Sequence, residues 1–443
     1  MRVEDVLKES RAPEQLVLTY APSFSESEIK LACDPLLEDF FRVILALHYI
    51  ERNEKDVDEL SLATPYAEEL KSIAERLEGL YHFLTRTSVS LRFEKRSNQR
   101  QDRFSEPQHG PDVLLFSGGL DSFCGAVNHT SRTLLVHGIL NNIVFGRSRL
   151  LRMACPTLRR RPMVSCRCIY EGLGGGFSQT RGLLFLSLAG LASSTLGSKT
   201  VTLSENGPLM LNPETSPLSP PTKNADPRLV METESIIREL RGEDFQIACP
   251  SKNMTKSESV AMTPLRFYSL FPSTSSCAST HLPKMCGICF GCFVRRLSLA
   301  AIEYVEHDAY SFDFFADDLG ILRERRARRI LDLQQSLRYF EKFVTHNSAI
   351  VDPHAVRFFE DPTSLIRKFS LDLILGLSNL IKLHPSYESG NAFGRFCNSL
   401  VQRTNRELID QRRAELSQIL ASQDRASIVS MENMPLSEWA GDS

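Results

Sequence analysis

The chain has 443 residues, in which 52 Lys and Arg nearly balance 54 Asp and Glu for a formal net charge of −2. That length implies two or three domains with ample buried core. The charge balance excludes a chain that binds polyanions through bulk charge, so any basic surface must be local.

Residues 1 to about 105 read as a small N-terminal α+β unit. Gln15 to Tyr20 alternates like a strand, and Leu37, Phe41, Ile44, Leu47 and Ile50 recur at helical spacing. A second helix is expected from about Tyr66 to Leu84, and Ser88 to Glu94 alternates as a strand with one buried face. Ser97 to Gly110 is polar and reads as a linker.

The most informative stretch follows. Val113-Leu114-Leu115-Phe116 has the look of a buried strand, and it ends in Ser117-Gly118-Gly119-Leu120-Asp121-Ser122 before a helix-like segment that runs to about His129. A strand, a tight glycine turn and a helix N-terminus form the place where a polyanion binds most readily. Gly118 and Gly119 let phosphate oxygens approach the backbone. The Ser117 and Ser122 hydroxyls can donate to those oxygens. A carboxylate at Asp121 would be repelled by phosphate unless it holds a magnesium ion or caps the helix, so it points to a metal.

Thr133 to His137 reads as a second strand and Thr200 to Leu203 as a third, with a helix from Arg181 to Leu196 between them. That helix includes the longest apolar run, which is too short and too rich in small residues to span a bilayer. Strands alternating with helices predict an α/β fold with a doubly wound parallel sheet. Ligands in such sheets bind at the strand C-termini, so the turn Ser204-Glu205-Asn206-Gly207 can converge with the glycine loop. Gly207 to Pro227 holds six prolines and reads as an irregular segment, a candidate flap over the site.

Ser131 to Tyr170 contains no Asp or Glu and eight arginines between Arg132 and Arg167. Such a local positive field attracts an anionic partner, whether nucleic acid or an acidic protein surface. Aromatic residues are sparse there, so a base-stacking platform is not indicated.

Four of the eleven cysteines are packed between Cys277 and Cys292. Cys277, Cys286, Cys289 and Cys292 suit one tetrahedral Zn²⁺, with no open coordination position, which makes the metal structural. An iron–sulfur cluster also takes four cysteines and stays open. His281 lies nearby, but a lone loop histidine is ordinarily solvated. The polar start of the chain shows no signal-peptide pattern, so a reducing cytoplasmic location is expected. Beyond residue 306 the sequence is mostly helical, with amphipathic helices at about Ile321 to Phe343 and Ser364 to Leu383 and a polar end from Ser422.

The Ser117–Ser122 loop resembles the PP-loop of ATP pyrophosphatases, which cleave ATP between the α- and β-phosphates. Together with the cysteine cluster it resembles the QueC family of 7-cyano-7-deazaguanine synthases, whose zinc site has the spacing C-x8-C-x2-C-x2-C followed by an arginine, here Arg295. Gln179-Thr180-Arg181 resembles the arginine-led helix of that family, and Thr255-Lys256-Ser257-Glu258 its Thr-Lys-x-Glu segment. The resemblance covers roughly residues 111 to 305. The added N- and C-terminal regions make the layout similar to the QueC-like QatC proteins of a bacterial anti-phage system. Two departures concern the small-molecule pocket: the family's Arg-Asn is Arg181-Gly182 here, and its G-x-N-x-x-D turn is Ser204-Glu205-Asn206-Gly207.

The resemblance implies a PP-loop, or adenine nucleotide alpha hydrolase, domain over residues 111–305 with a zinc knuckle at 277–292. It is flanked by the accessory unit 1–105 and the helical region 306–443. It implies ATP, Mg²⁺ and Zn²⁺ as cofactors. Ser117, Gly118, Gly119, Leu120, Asp121 and Ser122 would bind the nucleotide, and Asp121, Lys256 and Arg181 would assist catalysis. The expected reaction is ATP-dependent activation of a 7-deazaguanine carboxylate. The product would be an amide or nitrile, or a conjugate with a protein partner in a defence complex. A tRNA thiolase, an amidating synthetase and a non-catalytic ATP-binding subunit are the alternatives. Without the resemblance, Arg181, Lys256 and Arg295 would read as structural ion-pair residues.

Overall fold

The computed structural model describes residues 1–9, 17–96, 110–129, 133–137, 142–166, 178–216, 222–242, 244–277, 284–306, 309–315, 317, 319, 324–346, 348–350, 352–384 and 391–432. The chain packs as two compact units. The first comprises Met1–Glu214, Pro220–Lys252 and Val351–Glu360; the second comprises Thr215–Ser219, Asn253–Ile350 and Asp361–Ser443. This division differs from three consecutive segments because elements distant in sequence share one sheet and one helical core.

In the first unit, α1 (Val3–Glu9), β1 (Leu18–Ala21), β2 (Ile29–Leu31) and α2 (Pro35–Arg52) are followed by β3 (Glu59–Thr64), α3 (Ala67–Thr85) and β4 (Ser90–Lys95). Next come β5 (Val113–Leu115), α4 (Leu120–Asn128), β6 (Thr133–His137), α5 (Asn142–Ala154), α6 (Pro156–Arg159) and β7 (Met163–Cys166). Then α7 (Arg181–Thr195), β8 (Thr200–Thr202), α8 (Gly207–Leu211), α9 (Pro227–Arg241) and β9 (Gln246–Ala248) complete the sheet.

Seven strands form one mixed sheet in the order β2-β1-β7-β6-β5-β8-β9, while β3 and β4 pair separately. Strands β5 to β9 run parallel, and β1 joins β7 antiparallel. The sheet is thus mostly, not wholly, parallel: the N-terminal strands extend its edge instead of building a separate unit. The first parallel strand, β5, lies in the middle. The chain moves outward through β6 and β7, then returns to the other side of β5. With right-handed crossovers, this reversal sends α4 and α5 to one face and α7 and α9 to the other. The switch point between β5 and β8, at their C-terminal ends, is where open α/β sheets bind ligands.

Helix α7 is buried from Gly182 to Thr195 at nearly every position, which explains its lack of a polar face. It contacts β5 and β8 on one side and α2 and α9 on the others. One sequence expectation needs correction. Gly207–Leu211 is a helix, not irregular chain, because Pro208 occupies the first turn, where no N–H partner is required. Pro227 starts α9 in the same way. Part of the proposed flap, residues 217–221, lies outside the described residues, as do the linker residues 97–109 and His281. Thr215 and Ser216 are hydrogen-bonded to Ser336, Asp332 and Gln335.

The second unit is helical: α10 (Lys256–Ala261), α11 (Phe290–Ala301) and α12 (Glu324–Thr345) lead to α14 (Pro362–Leu383), α15 (Ala392–Arg403) and α16 (Arg406–Glu432). The intervening α13 (Pro353–Phe358) belongs to the first unit, against α9. Helix α14 is the hub of the second unit, packing against α11, α12, α15 and α16. Among the described residues no helix is long and apolar enough to cross a membrane.

Candidate functional site

The β5 strand is buried at Val113 and Leu114, and the chain leaves it through Phe116 and Ser117 into the glycine turn. Gly118 has φ +70°, a left-handed conformation that a side chain disfavours. A Cβ there would lie 3.2 Å from Ser148 Oγ and 3.3 Å from Arg147 Cγ, both on α5. The turn therefore needs glycine for conformation and for space. Gly119 then caps α4, and having no side chain it makes no side-chain cap hydrogen bond. Ser122 Oγ donates to Gly119 O at 3.0 Å and lies 3.2 Å from Ser117 Oγ. Leu120 points into the core, fully buried, and serves as the anchor of the turn.

Register pairs Leu114 of β5 with Thr202 of β8, so Ser117 and Glu205 both lie three residues beyond that pair, on adjacent strands. The two turns meet. Asn206, fully buried, caps α8 by accepting from Leu209 N at 3.4 Å. Its Nδ2 donates to Asp121 Oδ1 at 3.0 Å. The cap fixes which way the amide faces, and the amide in turn orients the Asp121 carboxylate.

A cavity of about 260 Å³ opens over these turns, lined by Ser117, Gly119, Asp121, Ser122, Arg181 and Glu205, with Phe116, Phe185 and Leu203 as apolar walls. Arg181 starts α7, and its guanidinium lies 5.3 Å from the Phe185 ring. Burial lowers its pKa from the ordinary arginine value, and no carboxylate among the described residues offsets that shift. The cavity thus pairs a helix N-terminus and a desolvated cation with a carboxylate. An anion and a divalent ion that binds it are the chemical fit.

Of the sequence-predicted residues, the structure brings together Ser117, Gly119, Asp121, Ser122 and Arg181. Lys256 lies in the second unit, as the first residue of α10, and is buried. Its neighbours in the Thr-Lys-x-Glu segment do structural work. Thr255 and Glu258 form a capping box, Thr255 Oγ1 donates to Asp372, and Arg412 pairs with both Asp372 and Glu258. Arg295 is fully buried in the second unit, where Glu306 accepts two of its hydrogen bonds at 2.6 and 2.9 Å, and Thr274 and Phe271 O take others. Its guanidinium is committed to that structural cluster.

In the second unit the Cys277, Cys286, Cys289 and Cys292 sulfurs all lie within 4.8 Å of one another. Cys286 and Cys292 are 3.9 Å apart, close to the roughly 3.8 Å edge of a tetrahedron with zinc–sulfur bonds. Gly287 has φ +79°, and a Cβ there would strike Phe312 O at 1.9 Å, so the first C-x-x-C turn requires glycine. Cys286 N donates to Cys277 Sγ at 3.3 Å and Cys292 N to Cys289 Sγ at 3.4 Å, contacts that favour thiolates. Four soft thiols at tetrahedral spacing can hold a metal such as zinc, leaving no position for substrate.

The arginine-rich segment is only partly a charged surface. Arg152 and Arg161 are buried and spend their guanidinium groups on the carbonyls of Leu158, Arg161 and Ala126. Arg149, Arg159 and Arg160 are exposed, while Arg132 and Arg167 lie outside the described residues. Set against protein-family models, curated proteins and solved structures, the chain matches none of them.

Proposed function

We propose that the chain is an ATP-dependent, AMP-forming enzyme of the PP-loop kind, with QueC-like chemistry. One observation carries the reading: a glycine-capped helix N-terminus behind a left-handed glycine turn lies at the switch point of the sheet and lines one cavity with Arg181. In this reading the first-turn N–H groups of α4 and the Ser117 and Ser122 hydroxyls hold the β- and γ-phosphates. Asp121 would hold Mg²⁺, which would neutralise charge on the phosphates. Arg181 faces the α-phosphate or the substrate carboxylate through its planar fork.

A carboxylate oxygen of the acceptor attacks the α-phosphorus, the α–β anhydride bond breaks, and pyrophosphate leaves with the bond electrons. The acyl-adenylate is then attacked by a nitrogen nucleophile, which displaces AMP. Positioning and charge stabilisation supply most of the rate in such a scheme. The substrate proposed from the resemblance is a 7-deazaguanine carboxylate, in a cytoplasmic setting, with an amide or a partner-protein conjugate as the product of this step; a nitrile would take a second ATP, the activated amide oxygen leaving with AMP as the nitrogen loses two protons. Nucleic acid is a further proposed partner, through the exposed arginines Arg149, Arg159 and Arg160. The cysteine cluster is assigned a structural role.

A second reading, an ATP-binding subunit without turnover, draws support from Arg295: the arginine that follows the cysteine cluster in the resemblance is consumed by Glu306. Mass spectrometry separates the two. Incubation with ATP, Mg²⁺ and 7-carboxy-7-deazaguanine should yield a deazaguanine amide or nitrile, or a mass gain on a co-purified protein. Nucleotide retained with no product under any of these conditions would favour the subunit.

A further inference from the structure

Helix α2 lies outside the part of the chain that resembles QueC, yet it is fastened to both ends of α7. At one end Asp34, the N-cap of α2, accepts from Ser194 Oγ at 2.6 Å. At the other, the last turn of α2 meets the three residues that lead into Arg181. Glu51 Oε2 accepts from Ser178 Oγ at 2.6 Å and from Thr180 Oγ1 at 2.9 Å. Glu51 Oε1 accepts from Gln179 N at 2.9 Å.

His48 completes the clamp. Its Nδ1 lies 2.7 Å from Thr180 Oγ1 and 3.2 Å from Ser178 Oγ. Both hydroxyl protons are drawn to the Glu51 carboxylate, so the network assigns the ring proton to Nδ1. Nε2 is then a bare acceptor, buried and without a partner. Burial and the nearby arginines 52 and 181 lower the His48 pKa to about 3, so the ring is neutral at physiological pH.

The charge arrangement is unusual in one respect. Glu51 is one residue removed from the backbone of Arg181 through Thr180, yet it forms no ion pair with it. Its oxygens are occupied by two hydroxyls and an amide, and the guanidinium is left facing the cavity with the Phe185 ring beneath it. A carboxylate that instead paired with Arg181 would cancel the cation that an incoming anion needs.

We infer that Glu51 is the positioning residue for Arg181, holding the start of α7 by three hydrogen bonds while leaving the guanidinium uncompensated, so that the N-terminal helix α2 is a working part of the anion site. The inference rests on reading the cavity as a phosphate site. It gives the N-terminal region a role that its distance from the glycine loop in sequence conceals.

Calorimetry with inorganic pyrophosphate and Mg²⁺ on the full chain tests it. Glu51→Ala should weaken pyrophosphate binding roughly tenfold or more, the scale of one charge-assisted hydrogen bond. Glu51→Gln, which keeps one carbonyl oxygen for Gln179 N–H, should recover part of the affinity. Ser194→Ala, which loosens the far end of the same helix pair, should lower the melting temperature but leave pyrophosphate affinity unchanged. Because Glu51 acts through Arg181, the Arg181→Ala, Glu51→Ala double variant should bind no more weakly than Arg181→Ala alone. Wild-type affinity in Glu51→Ala, or additive losses in the double variant, would overturn the inference and leave the phosphate site standing. A wild-type protein that binds no pyrophosphate would overturn the phosphate reading and the inference with it.

Discussion

Asn206 and Asp121, 85 residues apart, are joined by a 3.0 Å hydrogen bond from the Asn206 amide to the Asp121 carboxylate. The bond links the turns after β5 and β8, and the same Asn206 side chain caps α8. Asn206→Asp separates the two duties. An aspartate still caps the helix, but it sets a carboxylate against Asp121 instead of a donor. The substitution should lower Mg²⁺-dependent ATP turnover at least about tenfold, an effect of one lost hydrogen bond plus repulsion, and the buried carboxylate should lower the melting temperature as well. Thermal melts alongside a pyrophosphate-release assay check it.

Gly118→Ala tests the turn. The left-handed conformation costs a side chain about 1–2 kcal/mol, and the new methyl would press on Ser148 and Arg147. Relieving the backbone strain moves the amides of the loop. ATP affinity should therefore fall by more than stability does, as measured by nucleotide titration and denaturant unfolding of the same variant.

Removing the metal should unfold the second unit. Metal analysis of the purified chain should return one zinc per chain and no visible iron–sulfur absorbance. Chelation or Cys289→Ser should abolish the metal and lower the melting temperature of the helical unit, since binding a structural metal is coupled to folding. Serine can still cap α11 in place of Cys289, so the loss reports the metal and not the cap.

His48 predicts a pH dependence. Its folded pKa, about 3, is below the ordinary histidine value near 6.5. Between those values the unfolded chain binds a proton that the folded chain does not, so stability is full above about pH 6.5 and falls as pH is lowered. The slope assigned to this one group is about 1.4 kcal/mol per pH unit. His48→Gln should flatten the stability profile between roughly pH 6.5 and 4 relative to wild type, as followed by urea unfolding.

What was legible in the sequence is what is encoded locally. Val113–Ser122 shows its strand, turn and helix within ten residues, and the cysteine spacing shows its cluster within sixteen. Helices α2, α3, α7, α12 and α14 stand out by apolar spacing or by length. The rest depends on pairings between distant residues. Strand β1 joins the sheet through partners such as Thr19 and Ser165, 146 residues apart, and four residues carry no signal of which edge they complete. The Glu51 clamp is hidden for the same reason, because Ser178 and Thr180 look like ordinary loop polar residues. Pro208 misled the reading of α8, since a proline that starts a helix and one that breaks chain order look alike without the Asn206 cap. Arg152 and Arg161 misled in another way: they belong to a run of like charge, yet bury themselves on backbone carbonyls.

The proposed function requires that ATP be split at the α–β anhydride over the Ser117–Ser122 amides. Phosphorus NMR of a reaction with ATP, Mg²⁺ and 7-carboxy-7-deazaguanine measures it most directly. AMP and pyrophosphate should form in equal amounts, dependent on the carboxylate and absent from Asp121→Ala. Formation of ADP and orthophosphate, or pyrophosphate release that persists in Asp121→Ala, would contradict it.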